Sequence, residues 1–337
     1  MTPRAFICGL ATTTLLAEER AFLRDTNPWG MILFKRNIEE PQQVTRLVGA
    51  FREAVGRANA PVLIDQEGGR VQRLGPPHWP SYPPGAVYGR LYDRHPEQGL
   101  AAARLGGRLI GSDLAALGIT VDCLPLADVP VSGADPVIGD RAYGETPDKV
   151  AVLAAAVTEG LREAGVLPVL KHIPGHGRAS ADSHERLPVV TTPRAILEAT
   201  DFRAFQPLAG LPLAMTAHVV FSAIDPVAPA TNSATMVSEV IRDFIGFDGL
   251  LMSDDISMGA LSGTIGERTK SALAAGCDVV LHCNGNLQEM QDIAAHAPVL
   301  GGDARRRAEA ALTWCPPVRK FDIGAARAEF STMLNKF

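Results

Sequence analysis

Long apolar runs are missing. No stretch of the 337 residues approaches the roughly 18 needed to cross a bilayer, so no membrane span is expected. Charge of one sign is missing too: 32 Lys and Arg face 37 Asp and Glu, a formal net charge of -5, and no global field draws the chain to nucleic acid or an anionic membrane. The one basic run, Arg305-Arg306-Arg307, lies among alanines beside Glu309 and reads as a solvated helix face. Cysteine is sparse. Cys8, Cys123, Cys277, Cys283 and Cys315 show no CxxC spacing and lie mostly in apolar, strand-like contexts, which suits reduced, buried thiols in a cytoplasm. A Gly-rich nucleotide fingerprint is also lacking, since Asp65-Gln66-Glu67-Gly68-Gly69-Arg70 has the wrong glycine spacing for one.

What is present is an alternation of short apolar runs with helical patterns almost from end to end. Hydrophobic residues make up 46% of the chain, enough for a substantial core. Strands are expected at Ala5 to Gly9, Gly30 to Phe34, Pro61 to Asp65 and Thr120 to Leu124. Four more are expected at Val166 to Lys171, Leu213 to Thr216, Gly249 to Ser253 and Cys277 to His282. Helical segments include Pro41 to Arg57, Gln98 to Leu117, Asp148 to Ala164, Pro193 to Phe205, Thr235 to Ile245 and Glu267 to Ala275. Thr192 before Pro193 looks like an N-cap followed by Pro at the first helical position, and Gly246 should stop the preceding helix. Arg4 to Leu16 faintly resembles an export signal, but three threonines interrupt it and Glu18-Glu19-Arg20 follows, so it reads as a first strand. About eight βα units without a linker point to an α/β fold, a single (β/α)8 barrel over residues 1–337, with 303–337 as a peripheral helix or tail. A doubly wound open sheet is the alternative.

Polar chemistry concentrates at strand ends and in one loop. Lys171-His172-Ile173-Pro174-Gly175-His176-Gly177, followed by Asp182-Ser183-His184 and Pro188, packs a lysine, three histidines and an aspartate into fourteen positions that Pro and Gly keep from being helical. Asp65 closes the third strand, His218 follows the sixth, and Ser253-Asp254-Asp255 ends the seventh. In an extended segment neighbouring side chains face opposite ways, so only one of Asp254 and Asp255 is expected to aim at the barrel mouth. Asp254 is taken as the inward carboxylate and Asp255 as its support. Asp182 can hold one nitrogen of His184, fixing its tautomer, and leave the other to give and take a proton. A carboxylate nucleophile opposite such a group describes a retaining glycosidase, although most use two carboxyl groups. Asp65, Arg73, Arg141, Lys171 and His172 are the candidates for binding ring hydroxyls.

At these residues the chain resembles glycoside hydrolase family 3, in particular its short, single-domain β-N-acetylglucosaminidases. The resemblance runs from Met31-Ile32-Leu33-Phe34-Lys35-Arg36-Asn37 to at least Asn284. It includes Asp65 through Leu74, Val137-Ile138-Gly139-Asp140-Arg141, the Lys171-to-Pro188 loop, Met215-Thr216-Ala217-His218 and Gly246 through Asp255. It implies that Asp254 forms a glycosyl-enzyme and that His184, polarised by Asp182, is the acid/base. It also implies that Asp65, Arg73, Arg141, Lys171 and His172 contact a non-reducing N-acetylglucosamine. The implied role is cytoplasmic recycling of cell-wall muropeptides, cleaving N-acetylglucosamine from anhydro-N-acetylmuramic acid with or without peptide. No cofactor or metal is called for, and the expected partner is a small carbohydrate, with the chain a monomer.

Rival readings remain. His172 and His176 could serve a metal-dependent hydrolase, but Pro174 and Gly175 deny them a shared helix face. Lys171 could be a Schiff-base lysine. Asp254 and Asp255 could instead steer a substrate's own acetamido group. A non-catalytic sugar-binding module is disfavoured by its want of stacking platforms, since Trp29, Trp79 and Trp314 form no cluster. Because a deprotonated imidazole carries no negative charge, phosphate could also compete with water as acceptor.

Overall fold

Apolar runs buried on both faces form the walls of a closed barrel. In the computed structural model, which describes residues 2–315 and 321–335, these are β1 (Arg4–Gly9), β2 (Pro28–Leu33), β3 (Val62–Ile64) and β4 (Val121–Asp122). They continue as β5 (Leu167–Ile173), β6 (Leu213–Thr216), β7 (Leu250–Asp255) and β8 (Val279–His282). The sheet closes in the order β1-β8-β7-β6-β5-β4-β3-β2, all neighbours parallel. Alternate residues fill different layers. Ile7, Ile32, Leu63, Val121, Val169, Leu213, Met252 and Leu281 pack inside the barrel, whereas Phe6, Cys8, Val62, Ile64 and Leu251 join the core between barrel and helices. Burial of both faces is why each strand reads as a continuous apolar run.

The outer layer comprises α1 (Ala17–Thr26), α2 (Pro41–Val55), α3 (Gly85–Arg94), α4 (Pro96–Ala115) and α5 (Pro147–Glu163). It continues with α6 (Arg194–Ala199), α7 (Ile265–Ala275), α8 (Leu287–His296), α9 (Gly302–Leu312) and α10 (Ile323–Asn335). Helices α4 and α5 pack closely because Gly107 and Gly160 lie backbone to backbone at their crossing, where a Cβ on either would collide with main-chain atoms.

Several local expectations are corrected. The helix expected over Pro193 to Phe205 stops at Ala199, and 3-10 turns at Phe202–Ala204 and Gln206–Leu208 replace the rest. Asp201 accounts for the break: its carboxylate accepts from the Arg178 Nε at 2.6 Å and from the Thr200 hydroxyl at 2.7 Å. Thr192 is not the cap; Pro193 flanks the first helical residue, with no side-chain cap bond. Thr235 to Ile245 is expected as an ordinary helix, yet Met236–Phe244 winds as a π-helix, for which the sequence carries no signal. Gly246 does end it, at φ +81°. The basic run is not wholly solvated: Arg307 is largely buried and pairs with Asp278 at 3.0 Å and Asp248 at 2.8 Å, while Arg305 pairs with Glu309 on the surface. All five cysteines are free; Cys8, Cys123 and Cys277 are buried, Cys283 and Cys315 partly so. Among the described residues no helix is long and apolar enough to cross a membrane.

Candidate active site

The carboxyl ends of the strands open into a cavity of about 300 Å³, and all eight candidate residues line it: Asp65, Arg73, Arg141, Lys171, His172, Asp182, His184 and Asp254. Their distances in sequence are large, so it is barrel closure that collects them.

One wall is a chain of alternating charges. Arg141 holds Glu67 through two parallel bonds of 2.9 and 2.8 Å. Glu67 accepts from Lys171 at 2.6 Å, Lys171 donates to Asp65 at 3.0 Å, and the other Asp65 oxygen accepts from Arg73 at 3.0 Å. Burial by itself would push both carboxyls up. The cations outweigh it, Lys171 and Arg73 at Asp65 and Arg141 and Lys171 at Glu67, holding Asp65 well below the usual carboxylate range and Glu67 at about 2. Burial would likewise lower Lys171, but Glu67 and Asp65 raise it, so it is an ammonium at neutral pH and no Schiff-base nucleophile. The Nε of Arg73 is buried and has no hydrogen-bond partner among the described residues, a donor left for a ligand.

The floor is built from β5 to β7. His172 gives its Nδ1 proton to the buried Asp128 at 2.7 Å, and the same carboxylate accepts the His176 backbone N–H at 2.7 Å. Asp128 therefore orients the His172 imidazole and fixes the His176 backbone, and burial is offset by both histidines to keep it ionised. His218 donates Nε2–H to the Asp255 carbonyl at 3.0 Å and places Nδ1 2.7 Å from the Thr231 hydroxyl, while burial lowers its pKa. Asp254 accepts the Asp255 N–H at 2.8 Å. Burial opposes its charge, but His218, His172 and that N–H together hold it below the ordinary carboxylate value.

Strict alternation fails at the end of β7, because both Asp254 and Asp255 line the cavity. The register with β8 shifts between Met252 and Asp255, and such a bulge re-aims side chains. The two carboxylates differ in commitment. Asp255 is occupied by the Ser257 N–H and hydroxyl at 3.0 and 2.7 Å and by the Cys283 N–H at 3.2 Å, so it braces the following turn. The same kind of shift in β5, between Leu170 and Ile173, accompanies the lining of the cavity by both Lys171 and His172.

Asp182 and His184 stand at the rim. One Asp182 oxygen accepts both the His184 Nδ1–H at 2.8 Å and the His184 backbone N–H at 2.9 Å. Burial opposes ionisation of Asp182 only partly, and those bonds lower its pKa. The His184 side chain is 71% exposed. Its Nδ1 being engaged, Nε2 is the nitrogen free to exchange a proton. As for metal ligation, His172 is committed to Asp128 and His176 to Ser183, and no three His, Cys, Asp or Glu side chains among the described residues converge as an ion would require. Two residues essential to this geometry were not singled out from the sequence, Glu67 and Asp128.

Residues 9–303 match the glycosyl hydrolase family 3 N-terminal domain. A β-hexosaminidase of Alkalilimnicola ehrlichii is 42% identical over 280 residues, 82% of this chain and 79% of that protein. Another, from Bordetella pertussis, is 36% identical over 295 residues, 86% of this chain and 82% of that protein. The crystal structure of NagZ from Neisseria gonorrhoeae in complex with N-trifluoroacetyl-D-glucosamine superimposes with a TM-score of 0.86 at 30% identity, covering 100% of this chain and 97% of that one. Sequence and architecture agree over nearly the full length, and on that agreement the chain belongs to glycosyl hydrolase family 3, as a glycoside hydrolase of the β-N-acetylhexosaminidase type.

Proposed function

We propose that the protein is a retaining exo-β-N-acetylglucosaminidase that removes terminal N-acetylglucosamine from muropeptide fragments, chiefly the disaccharide with 1,6-anhydro-N-acetylmuramic acid, with or without peptide. Its place would be the cytoplasm, as a monomer, in peptidoglycan recycling. The observation that carries the chemistry is the pairing, in one cavity, of an ionised Asp254 with the rim-mounted Asp182–His184 dyad. The charged wall of Arg141, Glu67, Lys171, Asp65 and Arg73 supports the exo mode, because fixed donors and acceptors on one side suit the hydroxyls of a single terminal ring.

In the first step an Asp254 oxygen attacks the anomeric carbon while the glycosidic C–O bond breaks, and Nε2–H of His184 protonates the departing oxygen. In the second, water attacks the same carbon, its proton passes to Nε2, and the bond to Asp254 breaks. Asp182 keeps Nδ1 protonated throughout, so the exchanging nitrogen is the same in both directions. Two displacements at one carbon retain configuration.

The test is proton NMR of the first-formed sugar, with N-acetylglucosaminyl-anhydro-N-acetylmuramic acid, its peptide-bearing form and chitobiose compared as substrates. The β-anomer should appear first, with turnover of the anhydro-disaccharides ahead of chitobiose. Initial release of the α-anomer would defeat the mechanism, and preference for chitobiose would defeat the muropeptide assignment.

A further inference from the structure

An exposed imidazole whose ring has, among the described residues, a single hydrogen-bond partner, Asp182, owes its position in large part to something else. The residues beside it supply the contacts. Ser183 is 3% exposed, and its hydroxyl lies 3.1 Å from His176 Nε2. Its carbonyl accepts the Ala260 N–H at 3.2 Å, and the His184 carbonyl accepts the Gly259 N–H at 3.2 Å. Gly259 and Ala260 belong to the turn directly after β7, the strand that carries Asp254. That turn is itself braced. Asp255 holds Ser257, and Arg268 donates to the carbonyls of Ile256 at 2.9 Å, Met258 at 3.1 Å and Gly263 at 3.1 Å. His176 is braced in turn through its backbone N–H to Asp128.

We propose that the Asp255–Ala260 turn and His176 form a seat for Ser183, and that this seat, rather than any contact of the ring, fixes His184 relative to Asp254. Gly259, Ser183 and His176 are then positioning residues for the proton-transfer steps. Gly259 is the tightest point. A Cβ there would lie 2.9 Å from the carbonyl oxygens of both His184 and Glu185, backbone atoms that could clear it only by moving the loop. Gly259 is exposed and has no left-handed φ, so Gly259→Ala strains nothing except this docking. Docking the His184 loop on the turn that directly follows the strand of Asp254 also ties the separation of the two reaction partners to local geometry instead of to the length of the loop.

The inference rests on His184 being the acid/base, and the test separates the two. Wild type, His184→Ala, Gly259→Ala and Ser183→Ala are assayed on a dinitrophenyl N-acetylglucosaminide, whose leaving group needs no proton. Gly259→Ala should show kcat reduced about tenfold or more with kcat/KM nearly unchanged, a smaller copy of the loss from His184→Ala. It should also show a burst of phenol, and azide, which attacks without surrendering a proton, should restore kcat and yield the glycosyl azide. Ser183→Ala should fall in the same direction. If His184→Ala shows burst and azide rescue while Gly259→Ala and Ser183→Ala behave as wild type, the seat is wrong and the acid/base stands. A Gly259→Ala loss confined to kcat/KM, without azide response, is structural damage and also overturns the seat. If His184→Ala itself lacks burst and rescue, the acid/base assignment falls, and the seat with it.

Discussion

Asp254 works as a nucleophile only when ionised, and its surroundings decide over what pH range that holds. Burial raises its pKa, but His218, His172 and the Asp255 N–H lower it further than burial lifts it. Protonation abolishes attack, so a lowered value moves the acid limb of the rate profile downward. For the dinitrophenyl glycoside, where kcat/KM reports sugar transfer to the enzyme, the profile should stay level down to about pH 5. A limb centred near pH 6 would show that Asp254 is not held this way. All eight candidate residues line the cavity and are legible in the sequence because each ends a strand or lies on the loop after one. Asp128 is harder to find. It sits in a long irregular stretch, and its one signal is a lone charge between Ala127 and Val129, the mark of a buried, paired carboxylate. Glu67 is hidden differently: just after Asp65, residues Gln66–Gly68 fold back on Val71–Gln72, and Glu67 joins Asp65 in the cavity wall.

At the scale of elements, the alternating ion chain fastens the loops after β3 and β4 to the end of β5. Glu67 is the more deeply buried of its two carboxylates, held between two cations. Glu67→Gln leaves Lys171 and Arg141 undercompensated and should cost about 3–5 kcal/mol near neutral pH. The sign with pH follows from the depressed folded pKa of about 2: the contribution is full above the unfolded carboxylate value and fades as pH falls toward 2. Denaturant unfolding of wild type and variant at pH 7 and pH 3 should therefore show the gap narrowing in acid; a constant gap would contradict the ionised pair. Strand positions are legible at this scale because two-sided burial makes them uniformly apolar, and caps are legible where chemistry is local. Thr264 and Glu267 form a capping box that places the start of α7 two residues before the sequence estimate at Glu267. The break after Ala199 is not legible, since it depends on Arg178 reaching Asp201 from 23 residues away.

Across the whole molecule, the candidate active site occupies the carboxyl end of the barrel and a separate ion-pair cluster braces the opposite end. At the end away from the cavity, Arg307 of α9 ties Asp278, at the start of β8, to Asp248, and Arg242 shares Asp278. On the flank, α10 lies against α4, with Phe330 packed on Tyr82 and Tyr88. These contacts give α9 and α10 a structural place that the motif-free sequence does not announce; residues 316–320 and 336–337 of the expected tail lie outside the described residues. Arg307→Ala should lower stability by about 1–3 kcal/mol in denaturant unfolding while kcat/KM stays at the wild-type value. A matched loss of activity in the folded variant would mean that the two ends are coupled.

The central claim is that the anomeric carbon becomes bonded to Asp254, which separates this chemistry from the acetamido-assisted route that also retains configuration. Mass spectrometry of the protein after treatment with a 5-fluoro-N-acetylglucosaminyl fluoride, followed by peptide mapping, tests it directly. One sugar should be attached, on the peptide carrying Asp254, and Asp254→Ala should take up none. Label on another residue, or turnover with no adduct and undiminished activity in Asp254→Ala, would contradict the account.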